Sequence, residues 1–175
     1  YETKNNHWLF DFTNQFNGEK RLPSTDSNPL EYKVANYSPL FFNVLGQITF
    51  NTNFRAVITS CQKAPRKDQN GTWISNEIVE AYCKLNELGH AKSVEVWQKN
   101  ELVGGLYGID LGTVFCGESM FSKVPNASKV AFIYLAKQLE MANYKLLDCQ
   151  VHNDHLETLG CIEIERKEFL AIMKS

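Results

Sequence analysis

No stretch of the chain is apolar for long enough to cross a bilayer, and no leader with a charged start and an apolar middle is visible. The reading is a soluble, cytoplasmic protein without a membrane partner. Cysteine is scarce and wrongly spaced for metal. Cys61, Cys83, Cys116, Cys149 and Cys161 are odd in number and form no CxxC pair, which argues against a disulfide framework and a structural zinc site. They read as reduced thiols. His152 and His155 lack the register and the third ligand that zinc needs, so a solvated or hydrogen-bonded role is expected for both, and for His90. An excess of one charge is missing as well: the net charge is −2, poor grounds for a nucleic-acid partner taken whole. Arg55, Lys63, Arg66 and Lys67 form the only clear basic concentration, open to reading as a phosphate contact or as a solvated loop.

The 175 residues, 43% hydrophobic and 22% charged, suit one domain with a proper core, or one domain with a small appendage. Phe10, Phe12 and Phe16 read as a strand or a packed loop, and the run from Leu40 to Phe50 as a strand or two. Phe54, Val57 and Ile58 have helical spacing, predicting a short helix over 53–61. Ser75 is an N-cap candidate for a helix carrying Ile78, Tyr82 and Leu85 inward and stopped at Gly89. Two strands follow, joined by a turn at Lys99 and Asn100, and then a third ending near Cys116. Asn126 or Ser128 caps a helix with Ala131, Tyr134, Leu135 and Leu139 on one side. Lys145 to Val151 reads as a strand and Lys167 to Met173 as a strand or short helix. Periodicity alone supports mixed α and β.

Two passages carry candidate chemistry. Val114 to Lys129 is an apolar strand end, a glycine, a carboxylate and a hydroxyl-rich bend before a helix. In it Glu118 lies between Gly117 and Ser119, where glycine allows close approach of a ligand and the carboxylate can bind an ammonium group, or merely cap a turn. Leu146 to His155 contains Asp148 and Gln150, two apart in the expected strand and therefore on one face. Asp148 can accept a proton, or bind backbone amides structurally; Gln150 cannot be a base, but its amide can align reacting groups. Cys116 and Cys149, beside these carboxylates, read as packing or as nucleophile candidates.

The blocks GTWI (71–74), EAYCKLNELGHAKSVEVW (80–97), LVGGLYG (102–108), FCGESMFS (115–122), NASK (126–129), DCQV (148–151) and NDHLETLG (153–160) come in order. On them the chain resembles the leucyl/phenylalanyl-tRNA–protein transferase family from about Gly71 to its end. The resemblance implies an α+β, N-acetyltransferase-like (GNAT-like) fold, with a mainly antiparallel sheet flanked by helices. It divides the chain into a divergent segment or small subdomain at 1–50, packed on a main domain at 51–175. It implies transfer of leucine or phenylalanine from aminoacyl-tRNA to the N-terminal α-amine of proteins beginning with arginine or lysine, tagging them for degradation. Since the ester is already activated, positioning and charge stabilisation can supply most of the acceleration, with no metal and no organic cofactor.

By the same resemblance Asp148, Gln150 and Glu118 stand in the reaction centre. Leu106, Phe115 and Ser122 match positions lining the pocket for the apolar amino acid, although aliphatic and aromatic residues so spaced also make plain core. Leu106 replaces the methionine of many members. Trp73 matches a tryptophan that stacks on the terminal adenine, buried packing being the alternative. Asn153 and Asp154 read as bracing the loop beside Gln150. Tyr37, Ser38 and Pro39 echo a WSP segment, but the family's basic cluster has no counterpart between Ala35 and Phe50, so either Arg55, Lys63, Arg66 and Lys67 compensate as tRNA contacts or the donor is gripped differently. Two further readings follow: a divergent acyltransferase using another donor, and a non-catalytic binder of basic protein N-termini.

Overall fold

A computed structural model describes residues 6–11, 46–65, 72–150, 154–157 and 159–174, with backbone alone for 6–11 and 155. The fold is α+β. Its strands are β1 (Asn6–Asp11), β2 (Gln47–Phe50), β3 (Ala91–Gln98), β4 (Glu101–Asp110), β5 (Val114–Ser122), β6 (Leu146–Asp148) and β7 (Ile162–Glu165). They form a seven-stranded sheet in the order β2-β3-β4-β5-β6-β1-β7. Every pairing is antiparallel except β5 with β6. The helices are α1 (Phe54–Lys63), α2 (Asn76–Glu87), α3 (Ala127–Met141), the single turn α4 (Asp154–Glu157) and α5 (Arg166–Lys174).

Helices cover both faces of the central strands, which is why β4 is buried almost end to end and does not alternate. On one face α3 packs with Val94, Val96, Val103, Leu106 and Phe115. On the other, Phe54, Val57 and Ile58 of α1 and Val79 of α2 close over Ala91, Leu102, Tyr107 and Phe121. The hairpin between β3 and β4 turns through Lys99 and Asn100 at φ 50° and 63°, matching the right-handed twist of the strands. Glu95 is fully buried on β3, yet it is amply bonded. Thr49 Oγ1, Thr52 Oγ1 and Ser93 Oγ donate to it at 2.6, 2.9 and 2.5 Å, and the Thr52 and Asn53 amides at 3.3 Å tie it to the entry of α1.

Several elements differ from what the sequence pattern suggests. Asn53 does cap α1, accepting the Ala56 N–H, and Ser75 caps α2, accepting the Ile78 N–H. In α2, however, the buried residues are Val79 and Cys83, while Ile78, Tyr82 and Leu85 are only partly covered. The inward face is turned by one residue, which sets Tyr82 at the rim. β5 does not end near Cys116 but runs on to Ser122, so Gly117 to Ser119 make no bend. Neither Asn126 nor Ser128 caps α3 with a side chain. Asn126 is left-handed, and the Ser128 N–H is received by Ser122 Oγ at 2.8 Å. α3 also buries more than one side, including Phe132 and Ile133. β7 appears where no strand was expected, and Arg166–Lys174 is helical. Phe12 and Phe16 lie outside the described residues.

Candidate active site

Parallel pairing between β5 and β6 stops at Cys116 and Asp148. Beyond that point β5 continues against β4 alone, and the two strands part around a cavity of about 290 Å³. Leu106, Met120, Phe132, Leu135, Leu147 and Leu156 make its apolar wall, and Glu118, Ser119 and Gln150 its polar rim. That is near the small end of ligand pockets, roughly 300–1,000 Å³ in general, and suits one bulky apolar side chain.

Two local irregularities aim the rim. Tyr107 pairs with Ser119 while its neighbour Gly108 pairs with Gly117, so Glu118 is the extra residue of a β-bulge. A bulge re-aims one side chain without ending the strand. Gly108 rather than Gly117 is the glycine that sterics require here. A Cβ on Gly108 would lie 2.2 Å from the Cys116 carbonyl oxygen, whereas one on Gly117 meets only the Asp148 carbonyl oxygen at 3.5 Å.

The second irregularity lies at the end of β6. Asp148, 5% exposed, accepts the Gln150 backbone N–H on Oδ1 at 2.8 Å. This aspartate-centred turn draws the N–H two residues on out of the sheet and ends β6 at Asp148. Gln150 is then left-handed, at φ 65°, and exposed. Asp148 and Gln150 therefore do not share a strand face, as their spacing suggested; the aspartate sits behind the glutamine and holds it.

Glu118 is faced by two donors able to hydrogen-bond its carboxylate, the Tyr82 hydroxyl and the Gln150 side-chain amide. Burial raises its carboxyl above the ordinary carboxylate range, and the negative charge of Asp148 adds to the rise, while the two donors pull the other way. Tyr82 is pushed up to about 12 by burial and by Glu118. Tyr82 is braced in turn by an edge contact with Tyr107 at 5.4 Å, and Tyr107 by Phe54 at 5.7 Å. The site is thus carried by a bulge, a turn and an aromatic brace.

The thiols point away from nucleophilic chemistry. Burial, Asp148 and Glu118 raise Cys116 to about 12, opposite to the depression that activates a cysteine. Cys149 Sγ lies 3.2 Å from Cys161 Sγ, and that contact, with burial, raises its thiol too. Both cysteines are free thiols. Among the described residues no cluster of histidine, cysteine and acidic side chains could hold a metal ion. No helix among them is long and apolar enough to cross a membrane.

The family model described as leucyl/phenylalanyl-tRNA protein transferase matches residues 43–174. The chain belongs to that family. It is 68% identical over 129 residues to the leucyl/phenylalanyl-tRNA–protein transferase of Flavobacterium johnsoniae, covering 74% of this chain and 61% of the relative. It is 54% identical over 123 residues to the one from Cellvibrio japonicus, covering 70% and 52% respectively. The chain therefore spans about three-fifths or less of the length of these curated relatives.

The transferase motif residues fall into distinct places. Glu118, Gln150 and Leu106 line the cavity, with Asp148 directly behind. Phe115 is buried in the core with Leu106 and Leu147, beneath the wall rather than in it. Ser122 caps α3 and lies on a neighbouring concavity, which Lys63 also lines. Trp73 is 45% exposed in the turn before α2, not buried, and is not part of the cavity wall. Arg55 is engaged with Glu80 in a two-pronged ion pair at 2.5 and 2.8 Å, joining α1 to α2. Arg66, Lys67, His152 and Asn153 lie outside the described residues, and Asp154 opens α4. The sequence pattern did not single out Tyr82, Met120, Leu135, Leu147 and Leu156. Helical spacing marked Tyr82 as core, and a parting of two strands leaves no local signature for the rest.

Proposed function

We propose that the chain catalyses aminoacyl transfer, moving leucine or phenylalanine from its ester on tRNA to the α-amine of proteins that begin with arginine or lysine, as a tag for degradation. The fold is read as N-acetyltransferase-like, the pocket opening where two neighbouring strands part. One observation carries the reading: an apolar recess sized for a single side chain has Glu118 and Gln150 together at its mouth.

In this reading the aminoacyl side chain enters between Leu106, Met120 and Leu135, and its ester carbonyl lies at the rim beside Gln150. The side-chain amide of Gln150 orients the carbonyl and the incoming amine. Glu118, with proton affinity raised by burial, receives a proton from the amine. The amine nitrogen bonds to the carbonyl carbon, the bond from that carbon to the ribose oxygen breaks, and the proton passes by way of Glu118 to the departing oxygen. Asp148 is a positioning residue: it fixes the Gln150 turn and its charge raises Glu118. Trp73 offers an open indole face to the terminal adenine.

The test is incubation of the folded chain with leucyl-tRNA and an arginine-starting peptide. Leucine is expected on the peptide's N-terminus, and absence of transfer overturns the reading.

A further inference from the structure

A second concavity opens further along β5, on the face of the sheet that α1 and α2 cover, toward which Glu118 at the recess mouth turns to meet Tyr82. It encloses about 310 Å³, walled by Thr59, Ser60 and Lys63 of α1 and by Ser122 and Lys123 at the end of β5. Each of these five side chains can donate a hydrogen bond, two of them with a positive charge, and no carboxylate lines the wall. The ion pairs among the described residues join Arg55 to Glu80 and Lys84 to Glu87, and neither involves Lys63 or Lys123.

Position matters as much as charge. Glu118 and Ser122 lie four residues apart on β5, a separation of about 13 Å at about 3.3 Å per residue. A leucyl side chain seated in the recess cannot reach that far, but an extended sugar–phosphate chain leaving the ester can. The carbonyl end of α1 would by itself disfavour an anion, and Lys63 in its last turn offsets that end. Across the cavity Ser122 Oγ accepts the Ser128 N–H, so its own proton is available to donate outward.

We propose that this concavity seats a phosphodiester of the donor RNA just upstream of the aminoacylated nucleoside, with Lys63 and Lys123 as its charged ligands. The proposal rests on the aminoacyl-tRNA reading above and assigns the donor's backbone a place in it. Two exposed lysines and three hydroxyls select a phosphate group, not a base sequence.

The experiment titrates the trinucleotide CpCpA and, separately, adenosine against the 175-residue chain and its Lys63→Ala/Lys123→Ala variant over a range of salt. The variant is expected to bind the trinucleotide about tenfold more weakly. Its plot of log affinity against log salt should flatten by about 0.7 for each phosphate charge that the lysines no longer neutralise. Adenosine should bind both proteins alike, and Lys63→Arg/Lys123→Arg should restore trinucleotide binding. Equal trinucleotide affinities and salt slopes in wild type and alanine variant overturn the proposal, as does a wild type that binds the trinucleotide no better than adenosine. Both positions are exposed, and the single Lys123→Ala change keeps the comparison open if the double variant does not fold. Failure of the parent reading looks different: the wild type then moves no leucine from leucyl-tRNA, whatever the trinucleotide does.

Discussion

Glu118 is a carboxylate that the fold lifts out of its usual titration range, and this gives the site a pH signature. Burial, with Asp148 beside it, makes the folded protein hold the Glu118 proton to higher pH than the unfolded chain does. The sign follows: its contribution to stability is present below the unfolded carboxyl value and is lost as pH rises through the higher folded one. In the proposed mechanism transfer needs the ionised form and should rise over that same upper interval. A pH–rate profile is expected to show a rising limb above the ordinary carboxylate value, absent from Glu118→Gln; an unchanged limb in that variant would remove Glu118 from the chemistry. Gln150 makes the complementary case, because a non-glycine residue at φ 65° carries strain. Gln150→Gly should gain up to about 1 kcal/mol in denaturant unfolding while losing transfer. A variant both more stable and inactive marks a residue kept for function; one that is less stable and fully active would mark a structural one. The identities of Glu118, Asp148 and Gln150 were legible in the sequence through their motifs. Their geometry was not, since period-two spacing assumes an unbroken strand and Asp148 breaks it by capturing the Gln150 N–H.

At the scale of elements, β5 links the site to the helix behind it. Its last residue, Ser122, receives the Ser128 N–H, so the strand that carries Glu118 also caps α3, whose Phe132 and Leu135 wall the recess. Ser122→Ala is expected to cost about 1 kcal/mol in thermal or denaturant unfolding. The ratio of leucine to phenylalanine transferred should stay unchanged, because the hydroxyl lies outside the recess; a shifted ratio with stability unaltered would place Ser122 in the amino-acid pocket instead. The helices with local caps were readable from sequence, α2 from Ser75 to Gly89 above all. What escaped was everything settled by distant partners. The cap of α3 comes from another element, the bulge at Glu118 needs Gly108 opposite it, and β7 is defined only by pairing with β1. None of these leaves a periodic trace in its own segment.

For the whole molecule, the decisive arrangement is the insertion of β1 between β6 and β7. Leu9 pairs with Asp148 on one side and with Ile162 on the other. A proline there removes a ladder donor from an interior strand, so Leu9→Pro should destabilise the fold by about 2–3 kcal/mol. Limited proteolysis should then cut first in the 154–174 region and leave the β3–β4 hairpin protected. Cleavage spread evenly over the chain would mean that β1 is not what fastens that region.

That insertion also sets a timetable. A ribosome releases β1 long before β6 and β7 exist, so β1 waits without these two neighbours while everything between is made. β6 pairs as it emerges with β5 and β1, both already made, whereas β1 gains its second neighbour only when β7 follows. The β1 segment must be shielded for that interval, and the turn at Gln150 is not fixed until β6 arrives.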